Sequence, residues 1–224
     1  MSILVSKTRR KEKMKKYIVI ALILALFTVS SVCAETLNIT TLPAQQAGGY
    51  YVGAIGGNIN GGTAANYYCD DFLAHTSVPS SFTVLVSTLA DISGTKFKNQ
   101  SEALKKYQQV GWLMYQMEIN PVSQTGAIQF AMWSVFTPYP ATPSFEGAAA
   151  WLDASSRIDA SSYDFSQMRI YTPTGSANQE FVGGHVGLSA VPEPAEWMLL
   201  IIGLVLITYS IHRNREGFVV RTSA

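Results

Sequence analysis

Apolar positions fall along this chain in three patterns. At the two ends they form long, largely apolar runs, Tyr17–Val32 and Trp197–Ile211. Between residues 50 and 89 they come in short β-branched and aromatic stretches, which predict strands at Tyr50–Gly53, Ala54–Gly57, Asn66–Phe72 and Ser81–Leu89. Asn60-Gly61-Gly62 between two of these reads as a tight hairpin turn. From residue 99 onward the period lengthens. Leu104, Tyr107, Gly111 and Met114 recur at helical steps, predicting a helix capped by Asn99 or Ser101 and running to about Met117, where Pro121 stops it. A second helix is predicted over Gln124–Phe136, ended by Pro138, Pro140 and Pro143, and a short third over Glu146–Ala154. Strands return at Asp164–Tyr171 and Gln179–His185. The expected class is α+β, with a β-rich N-terminal half and a helical second half.

The two end runs carry a different message. Lys7, Arg9, Arg10, Lys11, Lys13, Lys15 and Lys16 precede the first, and Val32-Cys33-Ala34 closes it with small residues, the layout of an export signal cleaved after Ala34. An uncleaved anchor and a lipidated Cys33 are the other readings of that run, and Met14 is a second candidate start. The second run is apolar on all faces over Met198–Ile207, lacks an amphipathic stripe, and ends in Arg213 and Arg215. At about 1.5 Å per residue it makes a short membrane span, which the two arginines lengthen by snorkelling. The expected organisation is therefore a signal peptide (1–34), an exported domain (35–187), a linker (188–196), a transmembrane helix (197–211) and a basic cytoplasmic tail (212–224).

Removing the ends changes the charge. The whole chain carries +1, but residues 35–191 hold eleven acidic and six basic residues, a net of −5. A domain of that sign offers nothing to a phosphate backbone, so no nucleic-acid partner is expected. Of the two cysteines, Cys33 leaves with the signal, so Cys69 stands alone and an intramolecular disulfide is impossible. No spacing suggests a metal site or a cofactor. The doublet Asp70-Asp71 reads as a turn or a cap for backbone N–H groups, or less simply as part of a Ca²⁺ site.

Val191-Pro192-Glu193-Pro194, the apolar run behind it and Arg213/Arg215 resemble the PEP-CTERM sorting signal of exported bacterial proteins. The resemblance implies transient membrane insertion, cleavage near the motif by an exosortase-type enzyme, and delivery to the cell surface or extracellular (biofilm) matrix. The chain departs from that pattern in running on past the arginines to Ala224.

A second resemblance joins two distant segments. Tyr67-Tyr68-Cys69-Asp70-Asp71-Phe72 and Gln129-Phe130-Ala131-Met132-Trp133 are similar to the signature segments of bacterial surface thioester domains, in which a strand cysteine faces a Gln-x-x-x-Trp helix. That resemblance implies an internal thioester between Cys69 and Gln129, supported by Trp133, Asp70 and Asp71, and covalent capture of a surface or matrix polysaccharide or protein. Read from the residues alone, Cys69 and Gln129 are equally a structural pair in a core, or Cys69 a free thiol. Two further functions stay open: a hydrolase using Cys69 with His185 or His75, and a non-covalent carbohydrate-binding module in which Tyr50, Tyr51 or Trp151 stacks on sugars.

Overall fold

The computed structural model describes residues 34–175, 177–189 and 202–204. The export signal, Val191-Pro192-Glu193-Pro194, Arg213, Arg215 and most of the expected span lie outside them. Residues 202–204 are helical. Among the described residues no helix is long and apolar enough to cross a membrane.

Among the described residues from 34 to 188, ten strands and three α-helices follow one another: β1 (Ala34–Thr41), β2 (Gln45–Ala47), β3 (Tyr50–Val52), β4 (Ile55–Ile59), β5 (Ala65–Cys69), β6 (Ser80–Ser87), α1 (Ala103–Ile119), α2 (Thr125–Phe136), α3 (Ala148–Ser156), β7 (Tyr163–Asp164), β8 (Arg169–Pro173), β9 (Phe181–Gly183) and β10 (Gly187–Leu188). The expected mixture of strands and helices, with a β-rich first half, is what the chain forms. Six strands close into a barrel in the order β1-β4-β5-β9-β8-β6, and each neighbouring pair is antiparallel. The pairs β2–β3 and β7–β10 form separate two-stranded sheets.

Alternation along the strands builds two cores. Leu37, Ile39, Ile55, Tyr67, Val84 and Phe181 pack together as the barrel's filling. The opposite faces of β5, β8 and β9 send Tyr68, Ile170 and Val182 into a second cluster with the helices, around Tyr107, Leu113, Ile128 and Met132. The period of two is thus used on both sides of the same strands. The β4–β5 turn is as the sequence predicts: Asn60 (φ 53°) and Gly61 (φ 73°) are both left-handed, and Gly62 N–H returns to the Ile59 carbonyl at 2.8 Å, a type I′ geometry that suits the twist of a hairpin.

Helix α2 has a special place. It contacts α1, α3 and the β2–β3 ribbon, and every residue of it except Ser134 is buried. Any polar side chain on this helix must find its partners inside the protein.

Several boundaries differ from the sequence reading. Helix α1 starts behind Glu102, which is left-handed (φ 54°) and makes no side-chain cap, so neither Asn99 nor Ser101 caps it. Residues 97–100 instead form a turn, with Gln100 N–H on the Phe97 carbonyl. Leu104 points outward, 44% exposed, and the buried face runs through Ala103, Tyr107, Val110 and Met114. The expected strand 164–171 breaks in two, because the Asp164 carboxylate accepts from Ser166 N–H at 2.8 Å and turns the chain. Strand β1 had no sequence forecast, yet it closes the barrel between β4 and β6.

Candidate functional site

Three elements meet at the end of β5. Cys69 is its last residue, Gln129 sits in α2, and Gly53 follows β3. The Gln129 side chain is 1% exposed. Its Nε2 donates to the Cys69 carbonyl at 2.7 Å, and its Oε1 accepts from Gly53 N–H at 3.3 Å. The carboxamide is therefore held at both ends, beside the residue that bears the thiol. Gly53 can supply its N–H only as glycine: its φ is +97°, and a Cβ there would lie 2.8 Å from Thr125 Cγ2.

The Cys69 thiol donates to the Asp71 carbonyl at 3.1 Å, and Gln179 Nε2 donates to that same carbonyl at 2.9 Å. Cys69 and Gln129 line one pocket of about 210 Å³. One wall is aromatic. Trp133 lies one turn beyond Gln129 and packs on Tyr50 (ring centroids 5.9 Å), Phe72 (5.2 Å) and Phe130 (5.1 Å). The other wall carries His75, Thr76 and Gln179. Burial pushes the thiol well above its ordinary range, and the charges of Asp70 and Asp71 push the same way. The bond to the Asp71 carbonyl and the nearby Trp133 indole act against this. The indole N–H is close enough to favour a thiolate, but it makes no hydrogen bond of ordinary geometry among the described residues. That direction is opposite to the lowered thiol of a cysteine hydrolase.

Asp70 and Asp71 divide between two environments. Asp71 does not line the pocket, but its backbone carbonyl holds two side chains that do, Cys69 and Gln179. Its carboxylate pairs with Lys96 and accepts from Leu73 N–H at 3.1 Å, shaping the turn after β5. Asp70 does not reach the pocket. It is fully buried, neither carboxyl oxygen has a hydrogen-bond partner among the described residues, and burial, then the charges of Glu180 and Asp71, hold its pKa far above the usual carboxylate range. Glu180 beside it is also buried and raised by desolvation. Its hydrogen bonds oppose that shift: Tyr107 OH at 2.5 Å, Lys96 N–H at 2.8 Å and the Thr172 hydroxyl. Among the described residues no group of three or more His, Cys, Asp or Glu is arranged to hold a metal ion.

The structure thus brings Cys69, Gln129 and Trp133 together, and leaves Asp70 out. His185 lies elsewhere, 4.0 Å from Glu118, while His75 shares the pocket with Cys69. Sequence reasoning missed Gly53, which contributes only a backbone N–H. It also missed Lys96, which reaches Asp71 across 25 positions.

No family model matches the chain, and no curated protein matches it. Among solved structures it is similar to the N-terminal thioester domain of a surface protein from Clostridium perfringens, at 12% identity over 68% of this chain and 99% of that one, with a TM-score of 0.45. It is also similar to the N-terminal thioester domain of the fibronectin-binding protein SfbI from Streptococcus pyogenes (12% identity, 66% of this chain, 91% of that one, TM-score 0.42). A third is the N-terminal domain of the Streptococcus pyogenes pilus tip adhesin Cpa (10% identity, 70% of this chain, 96% of that one, TM-score 0.41). Likeness at this level fixes neither chemistry nor binding.

Proposed function

We propose that this domain is a covalent attachment module of an exported, surface-sorted protein. In the first step Cys69 Sγ attacks the Gln129 side-chain carbonyl carbon. A C–S bond forms, the C–N bond breaks, and the amide nitrogen leaves as ammonia with the thiol proton. In the second, a nucleophile on a surface or matrix molecule displaces the thiol and remains joined to residue 129. The observation that supports this reading is the clamp on the Gln129 carboxamide. Gly53 N–H touches the oxygen that gains negative charge in the tetrahedral intermediate, the task of an oxyanion donor. The Cys69 carbonyl holds the nitrogen that departs. A reluctant thiol still attacks when a carbonyl is held against it, because proximity replaces a large part of the barrier. The aromatic wall then keeps water from the product.

The chain ends give this module its address in the same proposal. The N-terminal run exports it, the C-terminal run anchors it transiently in the membrane, and an exosortase-type enzyme releases it near Pro192-Glu193-Pro194 to the cell surface or biofilm matrix.

Mass spectrometry tests the chemistry. The purified protein should be lighter by one ammonia than its sequence requires, with the Cys69 and Gln129 peptides joined, and methylamine should open the link. Full sequence mass with a titratable thiol would sink the reading. For the address, replacing Pro192-Glu193-Pro194 should trap an unprocessed membrane form; unaltered release would remove the sorting proposal.

A further inference from the structure

The pocket over Cys69 and Gln129 has a chemical bias of its own. Among the described residues that line it there is no aspartate or glutamate. A lysine ammonium arriving there meets no charge to steer it and no carboxylate to take its proton. The polar wall instead offers one proton acceptor, His75, exposed at the mouth. Its loop is fastened to the approach to β9 by two bonds from Gln179. The backbone N–H of Gln179 meets Thr76 Oγ1 at 3.0 Å, and its side chain meets the Asp71 carbonyl at 2.9 Å. Tyr51 lines the same pocket and is 48% exposed, a large aromatic face left in solvent. A ring to stack on, an imidazole base and an acyl group form the set that a sugar hydroxyl needs.

We propose that the acceptor is a hydroxyl of a polysaccharide, activated by His75 and oriented by stacking on Tyr51; this rests on the thioester reading above. The imidazole takes the hydroxyl proton as the oxygen attacks the residue 129 acyl carbon. A C–O bond forms, the C–S bond breaks, and His75 returns the proton to the departing Cys69 sulfur. The product is an ester and a free thiol, with no other reactant required. The small unprotonated fraction of methylamine needs no base to attack, so its rate measures the acyl group alone.

The test compares cellotriose, glycerol and methylamine as acceptors on the full-length purified protein, reading thiol release and adduct mass. Cellotriose should give an adduct that hydroxylamine cleaves, as an ester requires. His75→Ala should lower the ratio of ester to methylamide formation by about 100-fold, the low end of what a positioned proton acceptor contributes. Tyr51→Ala should lower the ratio of cellotriose to glycerol reactivity about tenfold, a loss of about 1.4 kcal/mol of the size an aromatic contact supplies. If both variants slow every acceptor equally, or if cellotriose is inert while methylamine reacts, the hydroxyl assignment is overturned and the thioester stands. If the starting protein shows no loss of ammonia, the thioester itself is overturned.

Discussion

The thiol of Cys69 and the carboxyl of Asp70 leave the end of β5 in different directions and enter two buried polar sites. In the first, neutral groups satisfy one another: the Gln129 amide bonds the Cys69 carbonyl and receives Gly53 N–H. In the second, three carboxyl groups, Asp70, Asp71 and Glu180, gather near one lysine, and the Asp70 carboxyl has no hydrogen-bond partner among the described residues. The difference teaches how the fold uses its polar interior. The neutral site fixes the orientation of one amide beside one sulfur. The charged site ties the turn after β5 to the loop at Lys96 and to β9, and holds the backbone that positions that sulfur.

Breaking the neutral site has the largest expected effect. Gln129→Glu removes the ammonia that must leave, so the mass deficit should vanish entirely while circular dichroism stays native; a surviving deficit would show that another residue supplies the acyl group. Next comes the charged site. Lys96→Met strands the Asp71 carboxylate, and should cost about 3 kcal/mol in chemical denaturation, the lower end for a broken buried pair because Lys96 is itself one-third exposed. A loss below about 0.5 kcal/mol, the level of an ordinary surface change, would mean that solvent already neutralises the cluster. Gly53→Ala forces a side chain into a left-handed position and against Thr125, so about 1–3 kcal/mol of stability should go. The same shift moves the N–H from Gln129 Oε1, and the deficit should then build up more slowly than in the parent chain.

The smallest effect is a pH dependence. The folded chain keeps a proton on Asp70 that the unfolded chain releases near pH 4. Stability from this group is therefore full below about pH 4 and declines as pH rises toward the folded-state value, since the native state binds more protons. Asp70→Asn carries no ionisable proton and should flatten that decline in melting temperature between pH 4 and pH 8. An identical slope in the variant would locate the titration elsewhere, with Glu180 the next group to test.

How much of this was legible in the sequence follows from what each residue contributes. Cys69 and Gln129 could be named because side-chain chemistry is written in residue type, and Trp133 because its spacing from Gln129 is one helical turn. Gly53 could not, since its part is an amide proton made available by a backbone angle. The Asp70–Glu180 cluster was hidden because its members come from segments that meet only when β5 pairs with β9. Strand β1 escaped because Thr36, Asn38, Thr40 and Thr41 dilute its apolar alternation to Leu37 and Ile39. Its character comes from being paired on both sides. The helix assignments fared better, since prolines and the longer period bound them, yet enclosure of α2 on nearly all sides blurs the amphipathic signal that normally shows which face is inside.

Closure of the strand ring by β1 has a further consequence. A finished ring leaves no row of idle main-chain donors and acceptors along its circumference, so neighbouring copies crowded on a surface find no template there for zipping into fibres. Among the described residues, only the small ribbons β2–β3 and β7–β10 keep open flanks. Crowding is thereby decoupled from polymerisation: copies of this barrel can lie side by side without their main chains pairing.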